Sequence, residues 1–373
     1  MSTVVALREP DPETRVALVP EVVAQLVRHG LSVTIQSGAG TLALHSDDDF
    51  AAAGATVATG GDLARALATA QVLVHVRPLD PERIAALPPG MITLGLTGGV
   101  DPVIVEALNA GSITALSFER LPRTSRAQVM DVLSSQAFVA GYRAVLEAAI
   151  RLPRFFPLAM TAAGTVPPAK VIVLGVGVAG LQAIATARRL GAKVAANDIR
   201  PDSAEEVRSV GAEFIDVGIA PQAGAGGYAR DLDAGAAHAQ QDVLANHIMD
   251  ADVLITTASV PGRPAPRLVA AATVSAMRPG SVVVDLAASA GGNVEGSLPG
   301  VEARIPSDRG GGEVTLLGLA AAAADLPVDA SGLFARNVAQ VLRAMVAEDG
   351  TLTLNLNDEL IHGMCYTHEG RSR

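Results

Sequence analysis

The sequence predicts an α/β protein of two doubly wound parallel-sheet domains joined by long helices. Three observations carry this expectation. Short β-rich apolar runs alternate with helix-patterned stretches through the first 120 residues, the same alternation restarts at Lys170, and between them Ala127 to Leu152 carries apolar residues at helical spacing.

Taken in order, "LSVTIQ" (31–36), "VLVHVR" (72–77), "MITLGL" (91–96) and "ITALSF" (113–118) read as buried strands. The stretches "PEVVAQLVRHG" and "DPVIVEALNAG" between them begin near Pro or Asp and end at Gly, as helices do. The helix from Ala127 to Leu152 stops before Pro153. Three prolines make "FFPLAM" and "AAGTVPPA" a loop. The second unit supplies strands "KVIVLG", "AKVAAND", "DVLITT", "SVVVDL" and "VTLLG". Residues 218–240, rich in Gly, Ala and Asp, interrupt it as a long loop, and such loops are functional or disordered. "DASGLFARNVAQVLRAMVAED" reads as an amphipathic helix that packs back on the first domain. The expected domains are therefore 1–130 with 330–373, and a Rossmann-like dinucleotide-binding domain over 131–329.

Composition narrows the function. At 49% hydrophobic and 18% charged the chain can build a sizeable core, and with no Trp, 3 Tyr and 7 Phe that core must be Val, Leu, Ile and Ala. No apolar run reaches the roughly 20 residues of a transmembrane helix, so no direct membrane span is expected. The N-terminus lacks a basic region followed by an apolar stretch, so no signal peptide is expected. A single cysteine, Cys365, excludes an internal disulfide framework and a Cys-rich zinc site, and suits a reducing cytoplasm. The net charge of -10 without a basic tract speaks against nucleic-acid binding. His29, His45, His238, His247, His362 and His368 show no metal-ligand spacing, so no metal is assigned.

"KVIVLGVGVAGLQAIATARRLGAKVAANDIR" is the strongest local signal. A buried strand enters Gly175-Val176-Gly177-Val178-Ala179-Gly180, a helix follows to Gly191, and a second strand ends at Asp198. The first glycine makes the turn, the second admits a pyrophosphate, and the third lets helix and strand pack closely. The helix N-terminus offers N–H groups and partial positive charge to a diphosphate. Asp198 can take ribose hydroxyls and would repel a 2′-phosphate, favouring NAD(H), while Arg200 close by weakens that preference.

"LPRTSRAQVMDVLSSQ" (121–136) gathers two arginines, two glutamines, an aspartate and three serines in an otherwise apolar chain. Gln128, Asp131 and Ser134 are three apart and so share a face if the segment is helical. From the residues alone the stretch also reads as a solvated helix N-terminus capped by Ser125.

The segments "SRAQVMDVLSSQAFVAGYRAVLEAA", "TAAGTVPPAKVIVLGVGVAGLQAIATARRLGA", "GGYA", "DVLITTASVPGRPAPRLV" and "MRPGSVVVDLAASAGGNVE" follow one another in order. With them the chain resembles the soluble NAD(H)-binding component of proton-translocating nicotinamide nucleotide transhydrogenases. The resemblance runs from "REPDPETRVALVPEVVAQL" to "DELIHGMCYTHEG". It implies Re/Si-specific hydride transfer between NADH and NADP+, with NADP(H) held on a partner beta subunit and proton translocation in membrane-spanning subunits. It also implies a homodimer, peripheral on the cytoplasmic face of the inner membrane through those partners. Arg123, Gln128 and Asp131, with Ser134 a turn on, would lie at the nicotinamide. Tyr228 in "GGYARDL" would sit in a mobile loop closing over bound nucleotide, with Gly226 and Gly227 as its hinge.

Two alternatives stand beside this. The first is an alanine dehydrogenase-like soluble enzyme. Those enzymes carry a Lys after the third strand and a His after the next, where this chain has Arg77 or His75 and then Gly or Thr, although Arg15 resembles their substrate arginine. His75 reads either as an acid–base group or as a strand histidine facing a polar pocket. Transfer between two nicotinamides needs proximity and orientation, not an acid–base pair, so these gaps favour the transhydrogenase resemblance. The second alternative is a non-catalytic NAD(H)-binding module. Ser289, where the family often has an acid, and the Ala-rich stretch at 320–327 depart from the family pattern.

Overall fold

The computed structural model describes residues 3–99, 101–200, 202–218, 234–260, 263–347 and 350–373. They form two compact units, residues 1–136 with 324–373, and residues 137–323. The first unit opens with β1 (Thr3–Ala6), α1 (Pro20–Arg28), β2 (Ser32–Gln36), α2 (Asp47–Ala52), β3 (Thr56–Ala58), α3 (Gly60–Thr69) and β4 (Val72–Val74). It continues through α4 (Pro81–Ala85), β5 (Ile92–Gly95), α5 (Pro102–Ala110) and β6 (Thr114–Ser117). Pro at the first turn of α1, α4 and α5 starts each helix at the one place where a missing N–H costs nothing, and Asp80 and Asp101 cap the latter two. The six strands are parallel in the order β6-β5-β4-β1-β2-β3.

The chain then passes along α6 (Val132–Arg151), through a hairpin of β7 (Ala159–Thr161) and β8 (Gly164–Val166), into the second unit's sheet. Its elements are β9 (Lys170–Leu174), α7 (Val178–Arg189), β10 (Lys193–Asn197), α8 (Ser203–Ser209), β11 (Glu213–Phe214), α9 (Ala234–Met249) and β12 (Val253–Thr256). They are followed by α10 (Ala271–Ser275), β13 (Val282–Asp285), β14 (Glu302–Pro306) and β15 (Glu313–Gly318). Strand order is β11-β10-β9-β12-β13-β15-β14, all parallel except β14. Val171 and Val173 pack into one apolar layer with Ala183 and Ile184 of α7, and Ile172 and Leu174 into the other with Leu244 and Ile248 of α9. Helices on both faces are why these strands read as unbroken apolar runs.

The return to the first unit adds α11 (Pro327–Met345), α12 (Glu359–Met364), β16 (Cys365–His368) and β17 (Arg371–Ser372). β16 joins β6 antiparallel and extends the sheet at that edge. Phe334, Val338, Val341 and Leu342 of α11 belong to the first unit's core, with Phe334 edge-on to Phe118 at 5.8 Å.

Several expectations need revision. The long helix starts at Val132, not Ala127, because residues 125–130 form a tighter 3-10 turn and Asp131 breaks out of helical geometry. Only α6 is a long link between the units; the return crosses at 323/324 in a turn ahead of α11. The Pro-bounded loop at 155–168 contains the β7–β8 pair, and residues 234–240 of the supposed long loop open α9. Tyr228, Gly226 and Gly227 lie outside the described residues.

Candidate functional site

In both sheets the strand order reverses direction beside the first strand, between β1 and β4 in one unit and between β9 and β12 in the other. Crevices at the carboxyl ends of strands flanking such points are where open α/β sheets bind ligands.

In the second unit the crevice is built by the glycine loop. Gly175 leaves β9 at φ +92°, and a Cβ there would come within 2.7 Å of Thr257 Oγ1 and 2.8 Å of the Ala258 nitrogen. A Cβ on Gly180 would overlap the Gly175 carbonyl, so this glycine is what lets α7 lie against β9. Gly177 differs from both. It is exposed, and an added Cβ meets nothing within 4 Å. No side chain caps α7 at Gly177, which leaves the N–H groups of Val178 and Ala179 directed at the open space. An uncapped 12-residue helix that opens on a glycine with free space around it is the arrangement that receives anions at helix N-termini.

Asp198 closes the other side, at the end of β10. Its carboxylate accepts from the Val176 nitrogen at 2.7 Å and the Arg200 nitrogen at 2.9 Å, which aims it at the loop. Arg200 lies against it. The guanidinium donates to Glu206 Oε2 and to the Val176 carbonyl, both at 2.8 Å, and stands 3.4 Å from Asp198 Oδ2. Burial alone would lower the Arg200 pKa, but the Asp198 and Glu206 charges hold it above its ordinary value.

Sequence reasoning missed the far wall. Thr257 donates to the Gly175 carbonyl at 3.0 Å and ties the end of β12 to the glycine turn. Asn293 receives the Ala258 N–H at 3.0 Å and donates to the Ala258 and Pro266 carbonyls, both at 2.8 Å. Fully buried Asp285 holds Asn293 in turn through its backbone N–H at 2.9 Å. Thr257 and Gly175 are 82 positions apart, and Asn293 is 35 from Ala258 and 27 from Pro266, so local pattern carried no signal for these contacts. Ser289 is exposed and its hydroxyl points to the Ala320 carbonyl at 3.4 Å. Ala322, Ala323 and Ala324 of the departing 320–327 stretch are buried.

Arg123, Gln128, Asp131 and Ser134 belong to the first unit. They do not share one helix face: Gln128 sits in the 3-10 turn, Asp131 has φ -77° and ψ 91°, and Ser134 is in α6. The residues around Gln128 are firmly anchored. Ala127 and Met130 enter the core, Asn337 of α11 donates to the Val129 carbonyl at 2.8 Å, and Arg126 grips both oxygens of Asp358 at 2.6 and 2.7 Å. Asp358 also caps α12. Arg123 and Gln128 are exposed, and no hydrogen bond of the Gln128 amide is found among the described residues. Asp131 accepts from the Ser134 nitrogen at 2.9 Å and its hydroxyl at 2.6 Å, so it is Asp131, not Ser125, that caps this helix, a contribution of about 1 kcal/mol.

In the first unit two carboxylates take up backbone N–H groups just beyond β4 and β5. Glu9 accepts from the Val76 and Arg77 nitrogens at 2.6 and 3.1 Å, and Glu119 from the Thr97 and Gly98 nitrogens at 3.0 and 2.9 Å. Burial pushes the Glu9 carboxyl up in spite of those bonds. His75 is buried, contacts the Arg77 carbonyl through Nδ1 at 2.6 Å, and burial pushes its pKa down to about 4, so it is neutral near pH 7. Arg15 makes paired 2.8 Å bonds to Glu13 and a third to Gln136 Oε1, which commits its guanidinium within the fold. Among the described residues no cluster of His, Cys, Asp or Glu could hold a metal ion, and no helix is long and apolar enough to cross a membrane.

The comparisons with known proteins agree across the chain. Residues 5–140 match the family described as alanine dehydrogenase/PNT, N-terminal domain, and residues 144–373 match its C-terminal domain. The chain is 44% identical over 368 residues to the first polypeptide of the NAD(P) transhydrogenase alpha subunit of Rhodospirillum rubrum, covering 96% of this chain and 94% of that one. Alanine dehydrogenase of Mycolicibacterium smegmatis is 32% identical over 296 residues, covering 77% of this chain and 72% of that one. The crystal structure of transhydrogenase from Sinorhizobium meliloti superposes with a TM-score of 0.88 at 40% identity and full coverage of both chains.

Proposed function

The chain belongs to the alanine dehydrogenase/PNT family, and from that premise we propose that it is the NAD(H)-binding subunit of a proton-translocating transhydrogenase. NAD(H), when bound, supplies or accepts the hydride, and NADP(H) is held on a partner beta subunit. The residues of the second unit fit the cofactor: Val178 and Ala179 offer N–H groups to the diphosphate, Gly177 leaves room for it, and Asp198 takes the adenosine ribose hydroxyls. Arg123, Gln128 and Asp131 act on the nicotinamide side. Gln128 orients the reacting rings, and Asp131 with Ser134 receives a carboxamide or ribose hydroxyl. Tyr228, which lies outside the described residues, joins the set by the same family resemblance. A hydride passing directly between two nicotinamides leaves no proton to move, so orientation is the whole task of these side chains.

One observation carries this reading. An exposed amide on an anchored segment, Gln128 between core-buried Ala127 and Met130, is built to position a ligand. The alanine dehydrogenase reading is disfavoured because Arg15 is bound by Glu13 and Gln136, and His75 is buried.

The partners follow from the same reading. Membrane-spanning subunits carry the proton path and hold this chain at the cytoplasmic face of the inner membrane. A homodimer is supported by the apolar surface of the second unit. Ile150, Phe155, Leu158 and Met160 are exposed there, and the β7–β8 pair is a two-stranded hairpin, an element of marginal stability without a packing partner.

The test is to mix the purified chain with a separately expressed NADP(H)-binding component and follow transfer from NADH to an NADP analogue, with L-alanine plus NAD as control. Transfer that requires the partner supports the proposal. Alanine-dependent NADH formation without it moves the chain to the soluble dehydrogenases, and NADH binding with neither activity leaves a binding module.

A further inference from the structure

Asp198 alone does not account for a preference for NAD(H), because Arg200 stands 3.4 Å away with a charge that cancels it. An arginine near this position is what accommodates a 2′-phosphate in enzymes that take NADP(H). The structure resolves this tension through a third residue. Glu206 on α8, eight positions after Asp198, binds the Arg200 guanidinium at 2.8 Å. The same Nη2 donates to the Val176 carbonyl of the glycine loop at 2.8 Å. The guanidinium is thus a strut between α8 and the loop, and its side chain is only 21% exposed. The local charge is negative: one from Asp198, one from Glu206, offset once by Arg200.

We infer that Glu206 is a specificity-determining residue, which by holding Arg200 against the glycine loop keeps a cationic group from receiving a 2′-phosphate and so excludes NADP(H) from the NAD(H) site. The inference rests on the reading of Asp198 as the ribose ligand. Its consequence for a two-nucleotide reaction is direct. A site that admitted both cofactors would let NADP(H) compete for the place of NAD(H), and discrimination by added repulsion is the means of preventing it.

The experiment measures dissociation constants for NADH and NADPH on the full chain by the fluorescence of the reduced nicotinamide. Glu206→Gln keeps the size of the side chain and removes its charge. The expected result is a fall of about tenfold in the ratio of the NADPH to the NADH dissociation constant, the scale of one charge-assisted hydrogen bond gained by the phosphate. Glu205→Gln removes an equal charge from the neighbouring exposed position, and a change of less than about twofold is expected if Arg200 is the agent rather than net charge. Adding Arg200→Gln to Glu206→Gln should abolish the gain. An unchanged ratio in Glu206→Gln, an equal shift in Glu205→Gln, or a gain that survives loss of Arg200 would each overturn the inference. Asp198→Asn separates the two levels: weakened NADH binding with no Glu206 effect defeats this inference alone, and unaltered NADH binding removes the ribose reading and this inference with it.

Discussion

Two glycines three residues apart should fail in opposite ways when replaced by alanine. At Gly177 the backbone has φ -67° and ψ -169°, which alanine adopts, and an added Cβ meets nothing within 4 Å. Stability should change only through the unfolded chain, a gain of about 0.4–1 kcal/mol. For a unit of this size that is a rise in Tm of at most about 2–4 °C. On the proposed assignment, the methyl nonetheless occupies space that a diphosphate would enter to reach the α7 N–H groups. Charge-assisted hydrogen bonds of that kind contribute about 1.5–3 kcal/mol, so Gly177→Ala should weaken NADH binding about 10- to 100-fold. At Gly180 the added Cβ overlaps the Gly175 carbonyl oxygen and lies 2.9 Å from its carbon and 3.2 Å from Thr257 Oγ1. Helix and strand must move apart, at a cost of about 1–3 kcal/mol or more. Gly180→Ala should therefore lose about 3–10 °C in Tm. With no Trp in the chain, NADH fluorescence reports binding without protein background, and circular dichroism reports unfolding. Wild-type NADH affinity in a folded Gly177→Ala variant would refute the diphosphate assignment; an unshifted Tm in Gly180→Ala would refute the packing argument.

Other perturbations test other parts of the reading. Gln128→Asn should cut transhydrogenation by a factor of about a hundred or more while NADH binding changes little, since a shortened amide misaligns the rings; unchanged turnover in stopped-flow assays would remove Gln128 from the site. Met160→Asp should shift sedimentation from dimer to monomer if the hairpin surface is the dimer contact, and an unaltered sedimentation coefficient would relocate that contact. For His75 the folded pKa of about 4 lies below the ordinary 6.5, so the unfolded chain takes up the proton first as pH falls. That stability is intact above the unfolded value and is lost downward through the window to about 4, with a loss of about 2 kcal/mol near pH 5. His75→Gln should flatten this part of the denaturation profile, and parallel profiles for the two proteins would contradict the burial argument.

Sequence legibility followed locality. Helices α1 and α5 were bounded by Pro or Asp and Gly, signals that act within one turn, and both formed within those bounds. Strands β9, β10, β12, β13 and β15 announced themselves as apolar runs because both faces are covered. The elements not foreseen lack such signals. β3 is a three-residue edge strand that begins on an exposed residue, and β14 ends in a proline and alternates exposed with half-buried residues at the sheet edge. Prolines around β7 and β8 read as loop punctuation when they in fact bracket a hairpin. Within the site, the glycine loop and Asp198 are one contiguous motif and could be read directly. Glu206 is reached only by the turn of α8, and Asn293 and Asn337 only by tertiary contact, so neither spacing nor composition marks them. The three-residue spacing of Gln128, Asp131 and Ser134 suggested a continuous helix, but Asp131 leaves helical geometry and caps the first turn of α6.

The return of the chain to the first unit sets an order of assembly during synthesis. Residues 137–323 have all been made before α11 emerges, so the nucleotide-binding unit can finish folding while the first unit still lacks Phe334, Val338 and Leu342 from its core and β16 from its sheet. Asn337 and Asp358, which fasten the Gln128 segment, arrive in that last portion. On the proposed reading, a growing chain completes its glycine loop and Asp198 before the segment that carries Gln128 is fastened. A nucleotide bound to the finished unit would stabilise it by mass action during that interval, and the first unit's core closes only when the later residues dock.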